Sequence, residues 1–291
     1  PIDCTAPVAS AQVKTCILLA GLAAEGRLIY REEVLSRDHT ERMLEAMGVE
    51  MTRERVGEGA IISLMPPSQP LQPLTIDIPG DFSAAAFLIV AALITPGSQI
   101  VLRDVGLNPT RIGLLVTLQQ MGGDIQVGNV RQQSGEPLGD VTVRASLLHS
   151  GRVSGQRVVD MIDEFPIFAV AAAYAKGETV VCDAQELRHK ESDRISALCQ
   201  ELSALGVQAE EKVDGFNIFG QGHLRGGGTV NPHGDHRLAM SLAVAGLGAE
   251  KAVTVEAAEI ISESFPDFIT TLKRLGAQVE LAEDDLRGQK A

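Results

Sequence analysis

With 291 residues, 45% of them apolar, the chain is long enough for about two domains with packed cores. Its formal net charge of −13 excludes nucleic acid and anionic membrane surfaces as partners, because both demand clustered Lys and Arg against phosphates. Apolar runs such as Ala84 to Ile94 stop after about eleven residues, at Pro96 and Gly97, well short of the roughly twenty that a membrane span needs.

Taken in chain order, the elements repeat. A first helix, SAQVKTCILLAGLAAEG, is expected from Ser10, and a second, TERMLEAMGVE, leads to Gly48. The pair recurs as DFSAAAFLIVAALITPG from Asp81 and RIGLLVTLQQMGGD to Gly122, and as DEFPIFAVAAAYAKG from Asp163 and SDRISALCQELSALGVQ to Gly206. It recurs again as DHRLAMSLAVAGLGAEK from Asp235 and PDFITTLKRLGAQ to Gly276. Strands such as Ser98 to Leu102 and Thr179 to Val181 follow the first helix of a pair. Leu44, Leu118, Leu202 and Leu272 each stand four residues before those glycines, where a helix ends in the left-handed conformation. The chain is therefore read as four copies of a helix-strand-helix-strand unit of about seventy to eighty residues. The first helices are apolar all round and are expected to be buried, whereas the second are amphipathic, as at Phe268, Ile269, Leu272 and Leu275, and should cover the outside.

Cys4, Cys16, Cys182 and Cys199 show no CxxC spacing and read as reduced packing residues of a cytoplasmic protein. No signal peptide or initiator Met is present, and Pro1 heads towards a helix, so the chain is expected to be cut from something longer.

Polar residues collect where the helices start: Ser10 and Gln12, Arg37, Asp163 and Glu164, Lys190, Glu191 and Arg194, and Asp235, His236 and Arg237. Helix N-termini attract anions through unpaired N–H groups and the dipole, so several starts aimed at one cleft would bind phosphates and carboxylates. In ELRHKESDR, Lys190 and Arg194 are expected one turn apart on one helix face with Glu191 beside them; a solvated charged face is the competing reading. Desolvation on substrate closure would raise the pKa of Glu191 towards useful proton transfer, making it a candidate acid/base. Asp163 reads as the N-cap of a helix that Pro166 starts, and its carboxylate could also accept a hydroxyl proton. GGGTVNPHGDHR is a Gly-rich approach that could close backbone around an anion before His236 and Arg237. His233 and His236 have no third ligand at metal-binding spacing, and no GxGxxG, P-loop, GxSxG or kinase pattern is present.

Eight motifs in order, SAQVK, SRDHTE, GDFSAAAF, NPTR, MIDEFP, ELRHKESDR, DHRLAM and SFPDF, resemble the 5-enolpyruvylshikimate 3-phosphate synthase family along the whole chain, in the form of its bacterial branch that includes glyphosate-tolerant members. The resemblance implies an α/β enolpyruvyl transferase fold of repeated βαβαββ units packed around buried helices in two domains. Residues 1–79 would be the last unit of an incomplete first domain and residues 80–291 a nearly complete second domain of three units. It implies transfer of the enolpyruvyl group of phosphoenolpyruvate to the 5-hydroxyl of shikimate 3-phosphate, without metal or organic cofactor, in aromatic amino acid biosynthesis. By motif, Ser10, Ala11, Gln12, Arg37 and Lys190 would bind shikimate 3-phosphate. Asp163 would take the 5-hydroxyl proton, Glu191 would serve the methylene carbon, Arg194 and Arg237 would clamp phosphoenolpyruvate with Gln12 also reaching towards it, and His236 would be a further substrate-binding residue. The missing N-terminal part of such an enzyme would be a partner, and the chain alone is expected to turn over little. UDP-N-acetylglucosamine enolpyruvyl transfer and a non-catalytic ligand-binding fragment are the alternatives; an RNA 3′-phosphate cyclase is disfavoured by the acidic charge and the lack of a nucleotide loop.

Overall fold

Residues 1–281 are described by a computed structural model. The first unit runs β1 (Ile2–Thr5), α1 (Ala11–Gly21), β2 (Leu28–Glu32), α2 (His39–Ala46), β3 (Met51–Val56) and β4 (Gly59–Leu64). Its sheet has the order β1-β2-β4-β3, with β1 parallel to β2 and the closing hairpin antiparallel. The second unit contains α3 (Phe82–Ile94), β5 (Gln99–Gly106), α4 (Gly113–Gln120), β6 (Asp124–Gln133) and β7 (Glu136–Arg144). Its order is β5-β7-β6, and in place of a leading strand a parallel bridge joins Gly80 to Val105.

The third unit comprises β8 (Arg152–Val153), α5 (Gln156–Asp160), α6 (Phe165–Tyr174), β9 (Lys176–Val181), α7 (Arg194–Ala204), β10 (Gln208–Lys212) and β11 (Gly215–Gln221). Its order, β8-β9-β11-β10, matches the first unit strand for strand. The fourth has β12 (Leu224–Gly226), β13 (Thr229–Val230), α8 (His236–Leu247), β14 (Ala249–Lys251), β15 (Thr254–Val255) and α9 (Phe268–Arg274). There β12 runs parallel to β14 and β13 to β15. The unit is thus βαβαββ where it is fullest, one strand longer at the front and one strand longer at the back, where it closes a hairpin, than the helix-strand-helix-strand reading. β1 also stands between Pro1 and α1, so the N-terminus does not lead directly into a helix.

Gly48, Gly122, Gly206 and Gly276 all have φ between 87° and 94°, so each second helix ends in the left-handed turn that its Leu-x-x-x-Gly pattern predicts. All of α6 is buried and so is nearly all of α3, and both pack with α8 in one hydrophobic core. Aromatic pairs tie the layers: Phe165 meets Phe168 and Phe216 edge to face at 6.0 and 6.3 Å, and Phe87 meets Phe268 at 6.0 Å. Burying one such side chain contributes roughly 1.5–3 kcal/mol.

The helix α1 departs from the expectation of all-round burial. Only Lys14, Leu18 and Gly21 are buried along it, and Leu19 is 50% exposed. It packs on its own sheet, in a separate core built on Leu18, Tyr30, Ile62 and Leu64, which shares no residue with the core of α3, α6 and α8. Cys16 on its outer face is exposed, contrary to a packing role, whereas Cys199 is buried and its thiol pushed up to about 11 chiefly by that burial.

Polar contacts join the first unit to the rest. The Leu35 N–H donates to Gln156 Oε1 at 3.1 Å while Gln156 Nε2 donates to the Leu35 carbonyl at 2.8 Å. Asn108 Nδ2 and Thr110 Oγ1 both donate to Asp38, and Arg42 donates to the Gly135 carbonyl. No described helix is long and apolar enough to cross a membrane.

Candidate active site

The starts of seven helices supply the polar residues of the site, and six of them converge. Asp163 sits in a 3₁₀ turn, Ile162–Glu164, immediately before α6. It is not the N-cap: α6 begins at Phe165 after Glu164, and neither carboxylate caps it. Pro166 at the second helical position has no N–H to offer, so both acids are left for guanidinium groups. Asp163 Oδ2 receives Arg37 Nη2 at 2.5 Å, and Arg237 Nη2 and Arg111 Nη2 stand 3.9 and 4.0 Å away. Burial pushes the Asp163 carboxyl up, but Arg37, Arg237 and Arg111 together outweigh it and hold the group far below the usual carboxylate range.

Glu164, 1% exposed, takes Arg111 in a two-pronged contact at 2.5 and 2.9 Å and a bond from Ser83 Oγ at 2.7 Å. Arg111 also bonds Ser83 directly. Ser83 belongs to the first turn of α3, which Asp81 caps through the backbone N–H groups of Ser83 and Ala84. The motif residues Asn108, Thr110 and Arg111 therefore form a strap, holding Asp38 at one end and Glu164 at the other. The sequence reading gives Ser83 and Arg111 no role, and Glu164 none beyond its place at a helix start. The signal was present in GDFSAAAF, NPTR and MIDEFP, but a lone Ser, Arg or Glu beside an apolar helix has no spacing that pairs it with another.

The second cluster joins α7 to α8. Arg194, fully buried, donates to Asp235 through Nε at 2.8 Å and Nη2 at 3.4 Å, and to Glu191 Oε2 through Nη2 at 2.7 Å. Its Nη1 is buried without a partner among the described residues. Asp235 caps α8 by accepting from the N–H groups of Arg237 and Leu238, and the opposing effects of its burial and of Arg194 leave its carboxyl lowered. The clusters communicate through Arg237: its N–H is held by Asp235, while its guanidinium donates to the Asp163 carbonyl at 3.3 Å.

Lys190 and Arg194 do not share a helix face. The helix α7 starts only at Arg194 because Asp193 caps it, accepting from the Ser196 N–H, and Lys190 lies upstream in extended backbone. Glu191 reaches Arg194 across that turn, whereas Lys190 pairs with Glu186 at 2.6 Å instead. Ser10 caps α1 and donates to Gln12 Oε1 at 3.3 Å, and among the described residues neither it nor Ala11 hydrogen-bonds to either cluster. His236 opens α8 half-buried, and His233 pairs with Glu201 at 2.7 Å. The glycines before them lie close against neighbouring chain: a Cβ on Gly226 would stand 2.3 Å from the Lys251 carbonyl, at the close approach of β12 to β14, and one on Gly228 3.1 Å from the Ala204 carbonyl. Among the described residues, no group of three or more His, Cys, Asp or Glu could hold a metal ion.

Four arginines, Arg37, Arg111, Arg194 and Arg237, facing Asp163, Glu164, Asp235 and the exposed Glu191 form a site that can exchange its internal ion pairs for anionic ligands and move protons at Asp163 and Glu191. The family model for EPSP synthase (3-phosphoshikimate 1-carboxyvinyltransferase) matches residues 1–272. The 3-phosphoshikimate 1-carboxyvinyltransferase of Synechococcus sp. (strain JA-3-3Ab) is 51% identical over 269 residues, which are 92% of this chain and 60% of that protein. The enzyme of the same name from Parvibaculum lavamentivorans is 50% identical over 278 residues, 95% of this chain and 62% of its own length. A solved structure of EPSP synthase from Acinetobacter baumannii superposes with a TM-score of 0.88 at 41% identity, covering 97% of this chain and 64% of that one. The architecture is the enolpyruvyl transferase fold, and the chain spans about three fifths of the length of the relatives it matches. With the family model matched over nearly the whole chain and about half the residues identical in such relatives, the chain belongs to the EPSP synthase family.

Proposed function

We propose that this chain carries the acid/base half of an enzyme that transfers the enolpyruvyl group of phosphoenolpyruvate to the 5-hydroxyl of shikimate 3-phosphate, releasing phosphate. The supporting observation is the gathering of Arg37, Arg111 and Arg237 around Asp163, with Arg194 and Glu191 alongside. In the addition step the 5-oxygen bonds to C2 of phosphoenolpyruvate, its proton passing to Asp163, while Glu191 delivers a proton to the methylene carbon. In the elimination step Glu191 takes a proton back from that carbon as the C–O bond to phosphate breaks. Each positioned proton carrier is worth roughly 10²- to 10⁴-fold. Arg194, through its free Nη1, and Arg237, with His236 beside it, hold phosphoenolpyruvate. Arg37, Ser10, Ala11, Gln12 and Lys190 hold shikimate 3-phosphate.

Three guanidiniums around Asp163 make it a weak base in the unliganded chain. Drawing Arg37 onto the 3-phosphate and Arg237 onto phosphoenolpyruvate removes that stabilisation, so the base gains proton affinity only when both anions are in place. Residues 1–79 and 80–291 are assigned to two domains that close on the substrates in the cytoplasm, and the part of the relatives that this chain does not match supplies the remaining phosphate contacts. No metal or organic cofactor is invoked. Calorimetry tests the reading: shikimate 3-phosphate should bind this chain, Arg37→Ala should weaken it about tenfold or more, and phosphate release by the chain alone should stay near background. Binding of UDP-N-acetylglucosamine in place of shikimate 3-phosphate would overturn it.

A further inference from the structure

Lys14 lies on α1, one turn beyond Ser10, and is fully buried. Its Nζ donates to Glu32 Oε1 at 3.0 Å, at the end of β2, and to the Ser36 carbonyl at 3.1 Å. It also stands 2.8 Å from Glu41 Oε1 on α2, an ionic contact in which neither Glu41 oxygen gains a hydrogen bond. Ser36 Oγ closes the loop by donating to Glu32 Oε2 at 2.6 Å. One ammonium thus joins four segments: α1, β2, α2 and the loop between β2 and α2. The next residue along that loop is Arg37.

Stability does not account for such a cluster. A buried ion pair loses in desolvation about what it gains in attraction, and apolar residues of similar volume often serve as well or better. One cation against two carboxylates, at the cost of a Glu41 carboxyl that burial raises, is an expensive way to fill the space. What an apolar residue cannot do is hold the Ser36 carbonyl in one direction. Arg37 has a long, rotamer-rich side chain on a loop, and ordering it costs free energy unless its backbone is already set.

We propose that Lys14 is a positioning residue, which fixes the loop at Ser36 so that Arg37 is presented across the interface to Asp163 and to the substrate phosphate that displaces it. This rests on the reading of Arg37 as a phosphate ligand, but the placement of Arg37 can be read without substrate. In the 291-residue chain the Asp163 carboxyl is titrated by NMR for wild type, Arg37→Ala, Lys14→Met and the double variant. The expected result is an upward shift in Lys14→Met approaching that in Arg37→Ala, with no further shift in the double variant; a through-space effect of the lost ammonium would persist there. Shikimate 3-phosphate affinity should fall about tenfold or more in Arg37→Ala and several-fold in Lys14→Met.

Because Lys14→Met strands two buried carboxylates, the triple variant Lys14→Met, Glu32→Gln, Glu41→Gln removes the ammonium without doing so and is read in the same way. An Asp163 titration unmoved in a folded variant lacking Lys14, or a shift that adds fully to that of Arg37→Ala, overturns the proposal. Failure of shikimate 3-phosphate to bind the wild-type chain, with Asp163 shifted non-additively in the variants, overturns the substrate reading and supports the positioning role.

Discussion

Arg37 Nη2 and Asp163 Oδ2 are 2.5 Å apart, although 126 residues of chain separate them. The contact bridges the unit of α1 and the core of α3, α6 and α8, so it reports both on how the units meet and on how the candidate base is held.

Replacing Arg37 with Ala leaves Asp163 with Arg237 and Arg111 at 3.9 and 4.0 Å. Its carboxyl should then titrate at higher pH. Both partners are roughly a quarter exposed, so solvent screening limits the expected loss of stability to about 1 kcal/mol. A urea midpoint measured at neutral pH checks the stability, and carboxyl NMR the titration; an unchanged Asp163 would mean that the pair does not persist in solution.

Stability should fall in acid. Asp235 and Asp38 are buried and Asp163 is half-buried, which alone would raise them, yet guanidinium partners leave each lowered. A carboxyl lowered in the folded state stabilises it above the ordinary value near pH 4, and that contribution disappears as pH drops through the folded value. Denaturation series at pH 7, 5 and 3 should therefore show little change from these groups between the first two and a marked loss at the third. Arg37→Ala should flatten the acid limb.

Asp235 performs two tasks that substitution can separate. Asn keeps an oxygen for the N–H groups of Arg237 and Leu238 but removes the charge that faces buried Arg194, whereas Ala removes both. The expected costs are about 3 kcal/mol for Asp235→Asn and about 1 kcal/mol more for Asp235→Ala. Thermal unfolding of the two variants side by side decides it; equal costs would deny the cap any role.

In a preparation that supplies the rest of the relatives' length, Glu191→Gln should lower kcat by about 10²- to 10⁴-fold. Shikimate 3-phosphate affinity should change little, since Glu191 bonds Arg194 and no predicted ligand of that substrate. A loss of affinity with kcat preserved would reassign Glu191 to binding.

Gly206→Ala should cost about 1 kcal/mol, because at φ +89° an L side chain is strained, while the nearest atom to the new Cβ is Arg225 Cβ at 3.5 Å, an ordinary contact. Gly215→Ala should be far worse at an unremarkable φ, since its Cβ would stand 2.0 Å from the Val181 carbonyl. Urea midpoints for both variants measure the contrast.

How much was legible in advance differs by residue. The Leu-x-x-x-Gly endings, the helix starts at Ser10, Asp81 and Asp235 and the buried run of α6 all depend on neighbours within one helix, so four aligned copies suffice to read them. Lys190 was misplaced because a charged run looks helical until Asp193, three residues closer to α7, takes the cap. The burial of α1 was overestimated because apolar content says what a helix can pack against, not whether anything is there.

The sequence by itself determined the repeat, the glycine-terminated helix ends and the family, because each is written in spacings shorter than about a dozen residues or in motifs taken in order. The tertiary structure alone decided that Arg37 belongs to Asp163, Arg111 to Glu164 and Ser83, and Lys14 to Glu32, Glu41 and Ser36. A charge in a sequence has many opposite charges to choose from, and only packing that excludes water from a particular few turns one of those choices into an ion pair with an energy that matters.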